Sequence, residues 1–287
     1  MIYLNLGCGN TFDSHWINLD VSPSAKEVKK WDVREGLPFD NDSIDACYSS
    51  HVFEHLNIDE ARKLLSECIR VLKPEGIIRL VVPDLEAIAK IYLDRLAKID
   101  QGIAEAESDY DWILLEMYDQ TVRNYSGGQM GKYLSNPDLV NREFILSRIG
   151  FEAEKFWQNP SSDLTQPTGL VERLRSKNFG RIVKKLRMAI ARFFVFVILG
   201  QDSAKAFDIG LFRTSGEVHQ WMYDRFSMTR VLQQSGFINI RICQANESSI
   251  PSFSSYCLDI INGKVRKPDS LFIEACKPDT PTYIIDS

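Results

Sequence analysis

Residues 2–20, Ile2-Tyr3-Leu4-Asn5-Leu6-Gly7-Cys8-Gly9-Asn10-Thr11-Phe12-Asp13-Ser14-His15-Trp16-Ile17-Asn18-Leu19-Asp20, decide the fold. An apolar run with β character, Ile2–Leu6, stops at a Gly-x-Gly turn, and a second, Trp16–Leu19, ends in an acid. Glycine has no Cβ, so backbone at such a turn can approach a ligand closely. A carboxylate ending the next strand can accept two hydroxyl hydrogen bonds, as a ribose diol requires. The pattern predicts a nucleoside site at the carboxyl ends of a parallel sheet. Leu6, Gly7, Cys8, Gly9 and Asn10 would form the turn, with Asp20 and Val21 on the ribose side.

A dinucleotide site needs Gly-x-Gly-x-x-Gly opening a helix whose N-terminus faces a pyrophosphate. Here Phe12 stands at the third glycine position, and only ten residues separate Gly9 from Asp20, too few for a crossover helix and a strand. This disfavours a nicotinamide oxidoreductase. S-adenosylmethionine (SAM) carries a cationic sulfonium and no phosphate, and it needs only such a turn and the later acid.

Further downstream, Leu37-Pro38-Phe39-Asp40-Asn41-Asp42-Ser43-Ile44-Asp45 leads into a strand ending Ser49-Ser50-His51. Asp59–Leu72 reads as an amphipathic helix, with Ala61, Leu64, Leu65, Cys68, Ile69 and Leu72 recurring at helical spacing and Lys73-Pro74-Glu75-Gly76 closing it. Ile77–Val82 is a strand stopped by Pro83-Asp84. His219-Gln220-Trp221-Met222-Tyr223-Asp224-Arg225 precedes a helix over Ser227–Gln234, a strand over Gly236–Ile242, and a last, antiparallel strand over Ser270–Ala275. Trp221 is expected in the core.

The Gly7–Asp20 opening, the Leu-Pro-Phe-Asp approach with Ser-Ser-His-Val-x-Glu-His-Leu, the Arg-Val-Leu-Lys-Pro-x-Gly turn and the His-x-Trp-Met-Tyr-Asp-Arg segment together resemble class I SAM-dependent methyltransferases. More closely, they resemble the predicted methyltransferases with a short first loop that accompany polysaccharide-biosynthesis enzymes. The resemblance spans roughly residues 1–95 and 210–277. It implies an α/β, Rossmann-like sheet, mostly parallel with the last strand antiparallel, and a large helical insertion. It implies SAM as cofactor, with Asp32 near the end of a third short strand accepting from the adenine amine, Val33 against the ring, and Ser49, Ser50 and His51 at the carboxyl end of the fourth strand. The absent first helix leaves the methionine end of that site least defined.

The chain divides, on this reading, into a core of residues 1–95 and 210–287 and an insertion of residues 96–209 acting as a lid. Helices are expected over Leu85–Ile99 and Asp109–Tyr125. Arg123, Asn124 and the Ser126-Gly127-Gly128 turn suit a hydroxyl-rich acceptor, or form a plain turn at a helix end. Asp84 faces substrate or caps a helix, and Tyr223 reaches the mouth of the site. Candidate bases for a hydroxyl acceptor are His51, His55 and His219, because a histidine titrating near neutrality can take the proton of an attacking hydroxyl.

His51-Val52-Phe53-Glu54-His55 also fits the inverted zinc-protease pattern. Its place after a strand and downstream of the nucleoside turn makes a metal hydrolase the remote alternative. For Glu54 and His55 the competing roles are orienting substrate, binding an assisting divalent metal, and holding the loop by hydrogen bonds. No metal is expected. A catalytically silent SAM-fold scaffold is the nearer alternative, since fold does not fix function.

Composition bounds the rest. The 287 residues, 44% hydrophobic and 25% charged, suffice for one large α/β domain with an insertion. A net charge of −5 gives no general case for nucleic acid. Six cysteines without paired spacing predict buried free thiols and a reducing, cytoplasmic setting; Met1 leads directly into a strand, and no secretory leader is expected. Residues 173–192 hold eight Lys/Arg and no acid, and Phe193–Leu199 is an aromatic-apolar block. That arrangement resembles an interfacial anchor, so peripheral contact with the inner membrane face through 173–199 is expected, against the alternatives of packing on the core or on a second copy of the chain. The acceptor expected is a glycan, a glycolipid or a related small molecule bearing a hydroxyl.

Overall fold

The computed structural model describes residues 1–158 and 179–279. β1 (Tyr3–Leu6), β2 (Trp16–Asp20), β3 (Val28–Lys30), β4 (Ile44–Ser50) and β5 (Leu72–Pro83) run parallel, while β6 (Ile238–Cys243) and β9 (Ser270–Cys276) pair antiparallel to each other. The sheet order is β3-β2-β1-β4-β5-β9-β6, with β9 antiparallel to both neighbours. This is the expected Rossmann-like sheet with its last strand reversed. A small hairpin of β7 (Ile260–Ile261) and β8 (Lys264–Val265) lies apart. The strand order reverses between β1 and β4, where open α/β sheets hold ligands beyond the strand ends.

Alternation along the strands splits the core into two layers. Leu4, Leu6, Cys47, Ile78, Leu80 and Ile273 pack on one face with α1 (Ile58–Val71) and α9 (Arg225–Gln234). α1 starts where Asn57 accepts from Asp59 and Glu60 N–H and the Glu60 carboxylate accepts from Asn57 N–H, a reciprocal cap. Its apolar stripe, Ala61, Leu64, Leu65, Cys68 and Val71, is buried. The Lys73–Gly76 segment expected to be a turn is a bulge within β5: the register jumps from Ile44↔Leu72 to Ala46↔Ile77, and Glu75 takes φ +61°.

On the opposite face the β1–β2 connection has no helix. Residues 244–258 cover it instead: Ala245, Ile250, Phe253 and Leu258 join Tyr3, Trp16, Tyr48 and Phe272. Arg79, fully buried in β5, pins this cover. Its guanidinium donates to Asp259 (2.8 Å), Glu274 (2.9 Å) and the Glu247 carbonyl (2.8 Å), and lies 4.7 Å from the Phe253 ring centroid. A buried cation persists only when so fully partnered.

The insertion is helical: α2 (Leu85–Asp100), α3 (Glu105–Val122), α4 (Gly128–Leu134), α5 (Arg142–Ile149), α6 (Phe151–Gln158), α7 (Phe179–Leu199) and α8 (Gln201–Arg213). The expected cut points after residue 95 and before residue 210 fall inside α2 and α8. α3 begins and ends earlier than expected, and the Ser126-Gly127-Gly128 turn opens α4 rather than closing α3. The insertion has its own core of Trp112, Leu134, Ile145, Ile149 and Ala153. Inside it the Arg148 guanidinium grips the Glu116 carboxylate (Nη2 to Oε2, 2.8 Å) and Trp112 Nε1 donates to Glu116 (2.5 Å).

Trp221, expected in the core, is 45% exposed over a surface cleft with Ile58, Arg62 and Tyr223. The backbone N–H groups of Gln220 and Trp221 both donate to the Glu54 carbonyl, which fixes the path of this segment. Four of the six cysteines are buried and all are free, as expected; Cys257 is exposed.

Candidate active site

β1 ends at a turn in which Gly7 (φ +63°) and Gly9 (φ +54°) both take left-handed backbone. A Cβ on Gly7 would lie 2.4 Å from Val52 Cγ2, whereas one on Gly9 would meet nothing within 4 Å. Gly7 therefore serves close packing, and Gly9 leaves the turn open. Gly9 N–H donates to Asp20 Oδ2 (2.9 Å) and Ser22 N–H to Oδ1 (2.7 Å). Each carboxylate oxygen keeps a free acceptor direction, so Asp20 fits a ribose diol. Burial pushes the Cys8 thiol up to about 12, which keeps it neutral. Val21 is exposed beside the turn.

Asp32 lies two residues beyond β3, where it caps a single helical turn, Val33–Glu35. Its carboxylate is forked by Arg34 (Nε to Oδ1, 2.9 Å; Nη2 to Oδ2, 2.6 Å), and that pairing holds it below the usual carboxylate range. An adenine amine would share this carboxylate with Arg34.

β1 and β4 bring the two halves of the site together through the pair Leu6↔Ser49. Ser49 is buried with its hydroxyl toward the Leu6 carbonyl (3.4 Å), and the Ser50 hydroxyl accepts from Arg266 Nη2 (2.5 Å). His51 takes φ +55°, unusual for a residue with a side chain. Its ring pairs at Nε2 with Ser270 Oγ (2.9 Å), while Nδ1 lies 3.0 Å from Glu54 Oε1 but off the hydrogen-bonding direction. Burial, with the nearby Lys267 and Arg266 charges, pushes its pKa well below the ordinary histidine value.

Glu54 and His55 sit on one helical turn, Phe53–His55. Glu54 is fully buried, burial pushes its carboxyl up to about 8, and neither carboxylate oxygen has a hydrogen-bond partner among the described residues. His55 Nδ1 faces the Val218 carbonyl (3.3 Å), and its ring meets that of His219 edge-on at 4.8 Å. His219 is buried, its Nδ1 is unpartnered among the described residues, and burial lowers its pKa well below the ordinary value. One ligand atom from each of Glu54, His55 and His219 lies within 4.8 Å of the others. The zinc-protease pattern, with both histidines on one helix face, does not form, because His51 is left-handed and only a single turn follows it.

A cavity of about 390 Å³ lies between the carboxyl edge of the sheet and the insertion. His51, Pro83, Lys267 and Asp269 line it from the sheet side, and Glu116, Gln120, Arg123, Met130 and Phe156 from α3, α4, α6 and their loops. Of the residues expected to meet the acceptor, the structure places Arg123 there. Arg123 Nη2 donates to the Glu217 carbonyl (2.8 Å). Asn124 is exposed and lines no part of the cavity. Asp84 caps α2 through Glu86 and Ala87 N–H. Tyr223 is buried, with its hydroxyl pushed up to about 12, and it borders the Trp221 cleft rather than the cavity. Sequence reading missed Glu116, Glu152, Lys267 and Asp269. Lys267 and Asp269 carried a visible signal, charge flanking Pro268 just before the last strand.

Residues 4–80 match the protein-family model described as a methyltransferase domain. No curated protein matches the chain. Among solved structures, a SAM-dependent methyltransferase from Archaeoglobus fulgidus is 13% identical with a TM-score of 0.37, over 96% of this chain and 85% of that one. A Thermotoga maritima SAM-dependent methyltransferase, described as a possible histamine N-methyltransferase, is 11% identical with a TM-score of 0.35, over 96% and 81%. The complex between the Haloferax volcanii Trm112 methyltransferase activator and a methyltransferase gives 12% and 0.34, over 96% and 82%. Likenesses this distant carry no statement about substrate. The family match supports SAM-dependent methyl transfer in general and leaves the acceptor open.

Proposed function

We propose that this chain, with a methyltransferase domain over residues 4–80, moves a methyl group from SAM to a hydroxyl of a polar acceptor such as a glycan or glycolipid. The observation that carries the reading is the place of His51. It follows β4, which pairs with the strand ending at the glycine turn, and it lines the cavity under the insertion. A cofactor held by Gly7, Gly9, Asp20 and Asp32 and an acceptor in that cavity would meet at this residue.

SAM supplies a methyl carbon already activated by its sulfonium. The chain's part is alignment and exclusion of water, which convert a bimolecular encounter into an oriented one. Asp20, fixed by Gly9 and Ser22 N–H, orients the ribose. The open turn at Gly9 lets backbone approach the ligand. The neutral His51 ring, paired at Nε2 with Ser270, lines the cavity and is our candidate to take the acceptor's hydroxyl proton. Arg123, Lys267, Asp269 and Glu152 offer the cavity polar groups for a hydroxyl-rich molecule, set among the apolar Ile88, Met130, Leu134, Ile149 and Phe156.

The same reading includes peripheral membrane contact. Phe193, Phe194, Phe196, Val197, Ile198 and Leu199 of α7 are exposed. No helix among the described residues is long and apolar enough to cross a membrane. The basic half of this patch falls largely outside the described residues: 173, 175 and 177 entirely, and the side chains of 181, 184 and 185.

The test is calorimetric titration of the purified chain with SAM and with S-adenosylhomocysteine, beside Asp20→Ala. Micromolar binding that the variant loses is expected. A folded chain that binds neither compound overturns the reading in favour of a scaffold.

A further inference from the structure

Three potential ligand groups converge behind the wall of the cavity. Glu54 and His55 come from the turn after β4, and His219 comes from the segment before α9. Gln220 and Trp221 N–H donate to the Glu54 carbonyl and hold the two pieces together, while His219 N–H donates to the Gln120 carbonyl of α3 (2.9 Å). The side-chain atoms facing inward are left over. Both Glu54 carboxylate oxygens and His219 Nδ1 lack a hydrogen-bond partner among the described residues, though both residues are more than nine-tenths buried. Buried polar groups are nearly always paired, and an orphan group calls for an explanation such as an ion. His51 Nδ1 is near Glu54 Oε1 but off the hydrogen-bonding direction. The expectation that Glu54 and His55 simply hold the loop accounts for the Glu54 backbone and for His55 Nδ1, and it leaves the Glu54 carboxylate unexplained.

The His55 ring is set up as a ligand. With Nδ1–H pointing at the Val218 carbonyl, its Nε2 is the free acceptor, the outer contact that commonly fixes the tautomer of a metal-bound imidazole. We propose that Glu54, His55 and His219 bind one first-row divalent metal ion behind the cavity wall, beside His51. Two imidazoles and one carboxylate suit zinc best, with manganese, iron and cobalt also able to bind. The charges facing the cluster are mixed. Arg123 and Lys267 oppose a cation, while Glu54, Asp269, Glu152 and Glu217 favour it, and Arg123 is held by the Glu217 carbonyl.

The role of the ion, unlike its binding, rests on the methyl-transfer reading. An ion held on Glu54 would sit beside His51, whose Nδ1 is 3.0 Å from Glu54 Oε1, and would help fix the orientation of that ring at the cavity wall. The acceptor O–H bond breaks and its proton passes to His51. The oxygen then bonds the methyl carbon as the carbon–sulfur bond breaks, with its electron pair returning to sulfur. The sulfonium becomes a thioether, and the metal keeps its charge throughout.

The test uses the full chain, analysed for metal as purified, then stripped with chelator and titrated with Zn²⁺ alone by calorimetry. Glu54→Gln and His219→Gln are titrated alongside, with SAM binding and thermal unfolding as checks of fold. One equivalent per chain is expected, bound in each variant more weakly by at least the roughly 10–100-fold that an outer partner is worth. A chain that binds SAM but takes up no equivalent of Zn²⁺, Mn²⁺ or Co²⁺ overturns the proposal, as do variants that bind as tightly as the wild type. Should the variants not fold, the visible spectrum of the Co²⁺-loaded wild type decides. Nitrogen and oxygen ligation is expected, and an intense near-ultraviolet thiolate band would place the ion on cysteine and overturn the site. Metal uptake without SAM binding would keep this site and reject the methyl-transfer reading; SAM binding without metal would do the reverse.

Discussion

At Gly7 the backbone conformation and the neighbouring side chain impose the same restriction. Alanine there meets Val52 Cγ2 and must also hold a left-handed φ. Gly7→Ala is therefore expected to lower stability by about 1–3 kcal/mol, read as a shifted urea midpoint, and to weaken SAM binding with it. Glu67 makes a different kind of claim. It accepts from Arg70 Nη2 (2.7 Å) and Leu37 N–H (2.8 Å), and the Arg70 guanidinium holds its carboxyl down at about 2. Because the folded value lies below the unfolded one, the stabilisation is present above the unfolded value of about 4.3 and lost as pH falls toward 2. The pair is partly exposed, so Glu67→Gln is expected to cost only about 1–2 kcal/mol at neutral pH. That difference should vanish in urea titrations run near the lower end of the window. At this scale the sequence announced Gly7, Gly9, Asp20 and His51 plainly, because each stands at a strand end. The partners of Asp32 were less legible: Arg34 is close in sequence, yet nothing in its spacing said that it would fork the carboxylate.

Among the elements, α1 was the easiest to read and is the simplest to test. Its stripe, its cap and its stop are all local signals, and Asn57→Ala, which removes two acceptor bonds, should cost about 1 kcal/mol in denaturant unfolding. β1, β2, β4 and β9 were legible for the same reason. What was not legible depends on distant chain. The cover over the helix-free face lies in residues 244–258, and its anchor is Arg79, a cation in the middle of an apolar strand. The signal was present as the Ile78-Arg79-Leu80 interruption, but its partner Asp259 comes from far along the chain. α7 gives the remaining prediction at this scale. The full chain should sediment with anionic vesicles at low salt and less with neutral ones, and Phe193→Asp with Phe196→Asp should reduce sedimentation without shifting the unfolding midpoint. Equal sedimentation by the variant would count against membrane contact through this helix.

Across the whole molecule, the insertion has a core of its own, and the cavity is the seam between it and the sheet edge. Damage to one side should therefore separate the two binding events. Trp112 is fully buried in the insertion and bonded to Glu116. Trp112→Ala is expected to cost about 3–5 kcal/mol of insertion stability, seen as an early transition on heating. The Gly7–Asp20 turn would remain intact, so SAM titration should change little. Loss of SAM binding in step with the insertion would show that the two bodies fold as one. The sequence led us to expect an insertion in this place, but not the charges around the cavity, because Glu116, Glu152 and Lys267 acquire meaning only when α3, α6 and the approach to β9 meet.

The position of β9 also bears on biosynthesis. β5 is complete by Pro83, but its neighbour on one side is Ser270–Cys276. A ribosome adding roughly 5–20 residues per second needs on the order of 10–40 s to deliver the intervening chain. For that interval the nascent chain carries the unpaired margin of Leu80-Val81-Val82, a strand edge able to recruit other chains. Chains interrupted before residue 270 should accumulate in the insoluble fraction, and chaperones that shield nascent strands should matter more for this protein than for one whose sheet closes in the order of synthesis.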